Sequence, residues 1–251
     1  MSIRGVFFDL YGTILMYGDM QAAWIDWLET FYDCMQKHGL SISIDAFSRC
    51  CDRFFVKEEP VSVQDGLTVF ERRIKTLGIE LGVELTPAHI GVMADTVVCA
   101  WQKHVSIDEE TAPVLRSLKP RKVLCLISNF DHPPHVYRIL SEYGLGSLFK
   151  NVIVSAEVGY RKPDPAIFFK ALEGTGLHGE EVAYVGDTEE DVTGAIAASM
   201  KPIIIRREKN STDHRALDYS IDNNISPNPA DNGLRNRAIV ITSLKELSSM
   251  F

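Results

Sequence analysis

The chain has 251 residues, 45 % of them hydrophobic and 24 % charged, with a formal net charge of −8 and no polybasic run. That length can bury a full core and hold one large domain, or a core with a subdomain. The acidic balance argues against nucleic acid and anionic membrane as main partners, so an anionic substrate has to be attracted locally, by a metal ion or a few placed cations. No apolar run approaches the ~18 residues needed to span a bilayer. Met1 to Arg4 lead straight into the first strand, so no signal peptide is expected. Cys34, Cys50, Cys51, Cys99 and Cys125 show no CxxC spacing, as expected of reduced thiols in a cytoplasmic protein.

Residues 6–15 read VFFDLYGTIL, an apolar strand ending in Asp9 and followed by a Gly-Thr turn. About ninety residues of helical periodicity follow. Trp24, Trp27, Leu28, Phe31 and Met35 mark a first helix that Gly39 stops. A second begins near Ser43 and carries Phe47, Cys50, Cys51, Phe54 and Phe55 on one face, with Pro60 beyond its end. A third runs from about Asp65 to Leu77 through Phe70 and Ile74. Thr86-Pro87 caps and opens a fourth, with Ile90, Met93, Val97 and Trp101. The block shows no strand, and its aromatic stripes are packing surface.

From about residue 110 strands and helices alternate. A helix through Leu115 and Leu118 precedes a buried strand at Val123–Ile127. A helix through Val136, Ile139 and Leu140 precedes a strand at Val152–Val154. Asp164-Pro165 caps a helix with Ile167, Phe168 and Leu172; Val182–Val185 is a strand, Val192–Ala198 a helix, Pro202–Ile205 a strand. Residues 207–237 are polar and read as a long surface excursion, before a last strand at Ala238–Ile241 and a short helix at Ser243–Leu247. Such alternation implies an α/β fold with a parallel sheet covered on both faces. The expected organisation is a Rossmann-like core, residues 1–15 and 106–251, interrupted by an all-helical insertion, residues 16–105. An insertion there is well placed to act as a lid.

Four strand ends carry the chemistry. The first offers Asp9, Tyr11, Gly12 and Thr13, the second Ser128 and Asn129. The third leads to Lys162, and the fourth offers Asp187, with Asp191 four residues later on a first helical turn. Open parallel sheets bring such ends together at one edge. A carboxylate there can act as a nucleophile, and Asp187 with Asp9 suits a hard dication such as Mg²⁺. A serine hydroxyl can hold phosphoryl oxygens, and a lysine can stabilise the gathered charge.

In the order Phe7–Leu15, Leu126–Asp131, Ser155–Phe168 and Tyr184–Ala195, with the runs SAEVGYRKPDPAIF and YVGDTEEDVTGA, the chain resembles the haloacid dehalogenase-like hydrolases with a helical cap inserted after the first motif. The resemblance implies that Asp9 is the nucleophile of an aspartyl intermediate. It further implies that Ser128 and Asn129 contact phosphate and that Lys162 stabilises charge. Mg²⁺ would be held by Asp9, the Tyr11 carbonyl and Asp187, with Asp191 in support, and Thr13 would hydrogen-bond near the nucleophile. The implied substrate is a small phosphorylated metabolite. Cap residues such as Tyr17, Trp24, Arg53 and Lys57 are candidates to reach the site, and Arg49 or Arg53 to serve the halide or carboxylate of a haloacid.

One position breaks the pattern. The family's phosphatases usually place a second Asp two residues after the nucleophile, as the general acid, and here Tyr11 stands there. General acid–base help contributes roughly 10²–10⁴-fold. Asp-x-Tyr-Gly-Thr resembles the family's 2-haloacid dehalogenases, whose leaving halide needs no proton, whereas Gly186-Asp187 with Asp191 resembles its phosphatases. Three readings follow: a Mg²⁺-dependent phosphatase, a C–halogen hydrolase, and a weakly active scaffold with a binding role.

Overall fold

The computed structural model of the protein describes residues 2–60, 65–207 and 237–251. Apart from Arg207 and Arg237, the polar stretch expected as a surface excursion lies outside the described residues. A six-stranded parallel sheet forms from β1 (Gly5–Phe8), β4 (Val123–Ser128), β5 (Asn151–Val154), β6 (Val182–Gly186), β7 (Lys201–Ile205) and β8 (Ile239–Ile241), in the order β5-β4-β1-β6-β7-β8. β1 is central because all four of its residues are buried, as a strand covered on both faces requires. Phe8, the last residue of β1, pairs with Leu126 on one side and Val185 on the other, so β4 runs two residues and β6 one residue beyond it. The chain leaves β1 toward β4 and later returns on its other side with β6, a reversal that opens a crevice at the strands' carboxyl ends.

Helices α5 (Thr111–Leu118), α6 (Pro133–Glu142), α7 (Ser155–Val158), α8 (Pro165–Thr175), α9 (Glu189–Ala197) and α10 (Glu246–Met250) accompany the sheet. Phe7, Ile127 and Tyr184 project from it into a cluster with Ile167, Phe168, Ala171 and Ala195. Asp164 caps α8 as expected, accepting from the Ala166 N–H.

The chain divides into two compact units, and Tyr17–Ser106 belongs to the second. This unit contains α1 (Met20–Gln36), α2 (Ile44–Cys50), α3 (Val69–Glu80) and α4 (Pro87–Gln102). Trp27, Phe31 and Phe47 form a chain of edge-on ring contacts at its centre. Two details depart from the sequence reading. The second helix ends at Cys50, because Arg53 takes a left-handed φ of 55°. The carbonyls of Phe54 and Lys57 are received instead by the buried Arg73 guanidinium. The third helix starts at Val69, behind a Thr68–Glu71 capping box, while Asp65 accepts from the Leu67 N–H ahead of it.

Where no strand was expected, β2 (Leu15–Tyr17) and β3 (Val105–Ile107) pair at the two points where the chain passes between the units. Three residues are too few for alternation to register. The cysteines are free thiols. Among the described residues no helix is long and apolar enough to cross a membrane.

Candidate active site

Four of the expected residues meet in one buried cluster. Asp9 follows β1, its N–H donating to the Val185 carbonyl at 2.9 Å. The Lys162 ammonium lies 2.5 Å from Asp9 Oδ1 and 2.7 Å from Asp191 Oδ1. Carboxylate oxygens of Asp9, Asp187 and Asp191 all lie within 4.8 Å of one another. Glycine makes this closeness possible. A Cβ on Gly12, whose φ is +88°, would sit 2.1 Å from Asp187 Oδ2, and one on Gly186 would sit 2.3 Å from Asp191 Cγ.

The carboxylates are not equivalent. Asp191 is saturated with donors. Its Oδ1 accepts from Lys162 and, at 3.0 Å, from the Tyr184 hydroxyl. Its Oδ2 accepts from the Asp187 N–H, the Thr188 N–H and the Thr188 hydroxyl. It is also the third residue of the capping box that opens α9 behind Thr188. Burial opposes its charge, but Lys162 and the Thr188 donors outweigh burial and hold its carboxyl below the usual range. Asp9 goes the other way. Burial, assisted by Asp191, raises it to about 7 against the pull of Lys162. Burial and the neighbouring Asp9 push Asp187 well up as well. Burial alone would lower Lys162, but Asp191 and Asp9 outweigh it and keep the ammonium charged.

Three carboxylates against one ammonium leave this cluster short of positive charge. Asp187 Oδ1 is buried and has no hydrogen-bond partner among the described residues. A hard dication with oxygen ligands supplies what both observations lack, so Asp9 and Asp187 fit Mg²⁺. Asp191, its oxygens already taken by five donors, fits the role of holding Lys162 and the Asp187 loop better than that of a ligand.

Other expected residues fall differently. Ser128 ends β4, buried, two positions beyond the partner of Phe8. Asn129 grips the main chain of Lys162, its Oδ1 accepting from the N–H at 2.9 Å and its Nδ2 donating to the carbonyl at 3.1 Å. Its amide therefore ties the Lys162 main chain to the end of β4. Glu190 lies beside that amide at 3.5 Å, its carboxyl raised by burial. The Thr13 hydroxyl is buried with no hydrogen-bond partner among the described residues, so the bond expected of it near Asp9 is not made. The Tyr11 ring stacks on Phe130 at 5.1 Å, and Phe130 stacks on His135 at 5.7 Å. Burial pushes the Tyr11 phenol far above its usual range.

Sequence reasoning missed Tyr184, Thr188, Arg206, Arg207 and Asp108. Tyr184 and Thr188 support Asp191 as described. Arg206 donates to the Asp187 carbonyl, and Arg207 to the carbonyls of Gly12 and Thr13. The two arginines follow the Ile-Ile-Ile end of β7, and the strand-end rule that found Asp9 and Asp187 points to them too. The Tyr184 hydroxyl gave no such signal, because a strand tyrosine reads as core.

Residues 3–199 match the haloacid dehalogenase-like hydrolase family, and the chain belongs to it. A glyceraldehyde 3-phosphate phosphatase of Methanopyrus kandleri is 37 % identical over 89 residues, which cover 33 % of this chain and 38 % of that protein. The matched stretch is thus little more than a third of that relative's length. In fold, the chain is similar to a HAD phosphatase from Thermococcus onnurineus (TM-score 0.64, 21 % identity, covering 99 % of this chain and 97 % of that one). It is almost as similar to a 2-haloacid dehalogenase from Pseudomonas syringae pv. Tomato DC3000 (TM-score 0.61, 20 % identity, 99 % and 97 % covered). The fold is common to both chemistries and does not choose between them.

Proposed function

We propose that the protein is a hydrolase that uses Asp9 as nucleophile on the phosphoryl group of a small phosphorylated metabolite. The observation that carries this reading is the buried Asp9–Lys162–Asp191 chain with Asp187 beside it. A phosphatase among its relatives supports it. Asp9 and Asp187, with the Tyr11 carbonyl, would hold the Mg²⁺, which supplies charge to neutralise the carboxylates and polarise phosphoryl oxygens.

Asp9 attacks phosphorus, and its new O–P bond forms as the bond to the leaving oxygen breaks and that oxygen keeps the electron pair. Water then attacks phosphorus, releasing phosphate and restoring the Asp9 carboxylate. Lys162 favours the ionised form of Asp9 and faces the charge gathered at phosphorus. Ser128, at the end of β4, would hold phosphoryl oxygens. Tyr11, with its phenol held high, is a weak proton donor. The reading therefore favours substrates whose leaving group departs without a proton, such as acyl phosphates or phosphoanhydrides.

A second reading, C–halogen hydrolysis, is favoured by the Tyr11–Phe130–His135 stack, an apolar surface where an acid would stand. The test is phosphate release from a panel of phosphate esters and acyl phosphates, with and without Mg²⁺. We expect Mg²⁺-dependent release that falls by roughly 10⁴-fold or more in Asp9→Asn. No release from any compound, together with halide release from 2-halo acids, would establish the second reading. Neither activity would leave a binding scaffold.

A further inference from the structure

We infer that Arg206 and Arg207 are positioning residues that set the placement of Asp9 and Asp187 by holding the main chain of the loops that carry them. The inference deepens the hydrolase reading and rests on it for the cation that reports the placement. Consecutive residues at a strand end project to opposite sides, and here each reaches a different acid-bearing loop. The Arg206 N–H donates to the Ile241 carbonyl at 2.8 Å, which fixes its own backbone, while its guanidinium donates to the Asp187 carbonyl. Arg207 donates to the Gly12 carbonyl at 2.9 Å and the Thr13 carbonyl at 2.8 Å.

Arg207 also pairs with Asp108 at 2.5 Å, and both side chains are largely buried, at 10 % and 6 % exposure. A buried ion pair adds little net stability, because desolvation offsets the attraction; its use lies in fixed geometry. Asp108 is itself held twice. Its Oδ1 accepts from the Glu110 N–H at 2.8 Å, and its own N–H donates to the Ile14 carbonyl at 3.1 Å. The guanidinium thus holds Gly12 and Thr13 directly, and its partner Asp108 holds Ile14. Gly12 touches the Asp187 carboxylate so closely that not even a Cβ fits between them. A shift of the Gly12–Thr13 peptide therefore moves Asp187, and both loops answer to the same pair of arginines.

The experiment is Mn²⁺ titration by paramagnetic resonance, with amide hydrogen exchange of residues 12–15, in Arg207→Gln, Arg207→Lys and Arg206→Gln. Arg4→Gln, at a surface ion pair, serves as control. We expect Arg207→Gln to weaken Mn²⁺ binding by roughly 10–100-fold and to speed exchange at 12–15. Arg207→Lys should lose nearly as much, since an ammonium keeps the Asp108 pair but lacks the fork that spans two carbonyls. Should Arg207→Gln fail to fold, Arg206→Gln carries the same expectation through the Asp187 loop. Mn²⁺ binding that is indifferent to all three variants would overturn the inference alone, as would faster exchange with unchanged affinity. Absence of Mn²⁺ binding in the unsubstituted protein would instead overturn the cation of the hydrolase reading, and with it the inference.

Discussion

Asp9 and Tyr11 stand two residues apart after the same strand, in opposite surroundings. Asp9 lies in a charged cluster where Lys162 bridges it to Asp191 and five donors hold Asp191 in turn. Tyr11 lies in a stack of rings, on Phe130 and through it His135. On the proposed reading the charged side supplies a nucleophile, Asp9, and a fixed cation, Lys162, with the Asp187 carboxylate beside them. The aromatic side offers a stacked surface, and burial makes the Tyr11 phenol a poor proton donor. The difference, on the same proposed reading, puts substrate choice on the leaving-group side.

The largest effect should come from breaking the charged side at its centre. Lys162→Gln leaves Asp9 and Asp191 buried without their shared cation, which costs about 3–5 kcal/mol. Urea denaturation would read that loss, and turnover should fall with it. An unchanged midpoint would mean that the ammonium does not bridge the two carboxylates.

Restoring an acid on the aromatic side is the next largest change. Tyr11→Asp should raise turnover of phosphomonoesters by up to ~10²-fold, the lower end of what general acid help contributes. It should leave acyl phosphates nearly unchanged, because their leaving group needs no proton. No gain on monoesters would mean that the missing acid is not the limitation.

The smallest effect is one of pH. Asp9, at about 7 when folded against an ordinary 3.8, binds its proton more tightly in the fold than in the unfolded chain. Its contribution to metal-free stability is therefore fully present below about pH 4 and is lost as pH rises through about 7. A dication competes with that proton, so Mg²⁺ affinity should fall by up to tenfold per pH unit below about pH 7 and level off above it. Calorimetry in buffers of different ionisation enthalpy would detect the released proton. A pH-independent affinity would place the cation away from Asp9.

The core was legible because its signals are local. Buried parallel strands are continuous apolar runs, and polar residues at their ends mark the sheet edge, so β1, β4 and β6 and the residues Asp9, Ser128 and Asp187 could be read directly. The helical unit was legible as helices but not in its ends. Phe54 and Phe55 continue the apolar face of α2, yet the left-handed turn at Arg53 and the reach of Arg73 stop the helix before them. Asn129 follows the strand that ends in Ser128, and only the fold brings the Lys162 backbone to its amide.

By itself the sequence determined the α/β class, the order of the strands along the chain, the helical insertion and the four strand ends proposed to bear the chemistry, because hydrophobic period and turn residues act over a few positions. Only the tertiary structure decided which side chains touch. Contacts between residues 9 and 162, or 207 and 12, depend on strand order and loop packing, which no local pattern encodes. That is why the charge balance of the cluster, the stacking of Tyr11 and the two arginines behind the acid loops came from the fold alone.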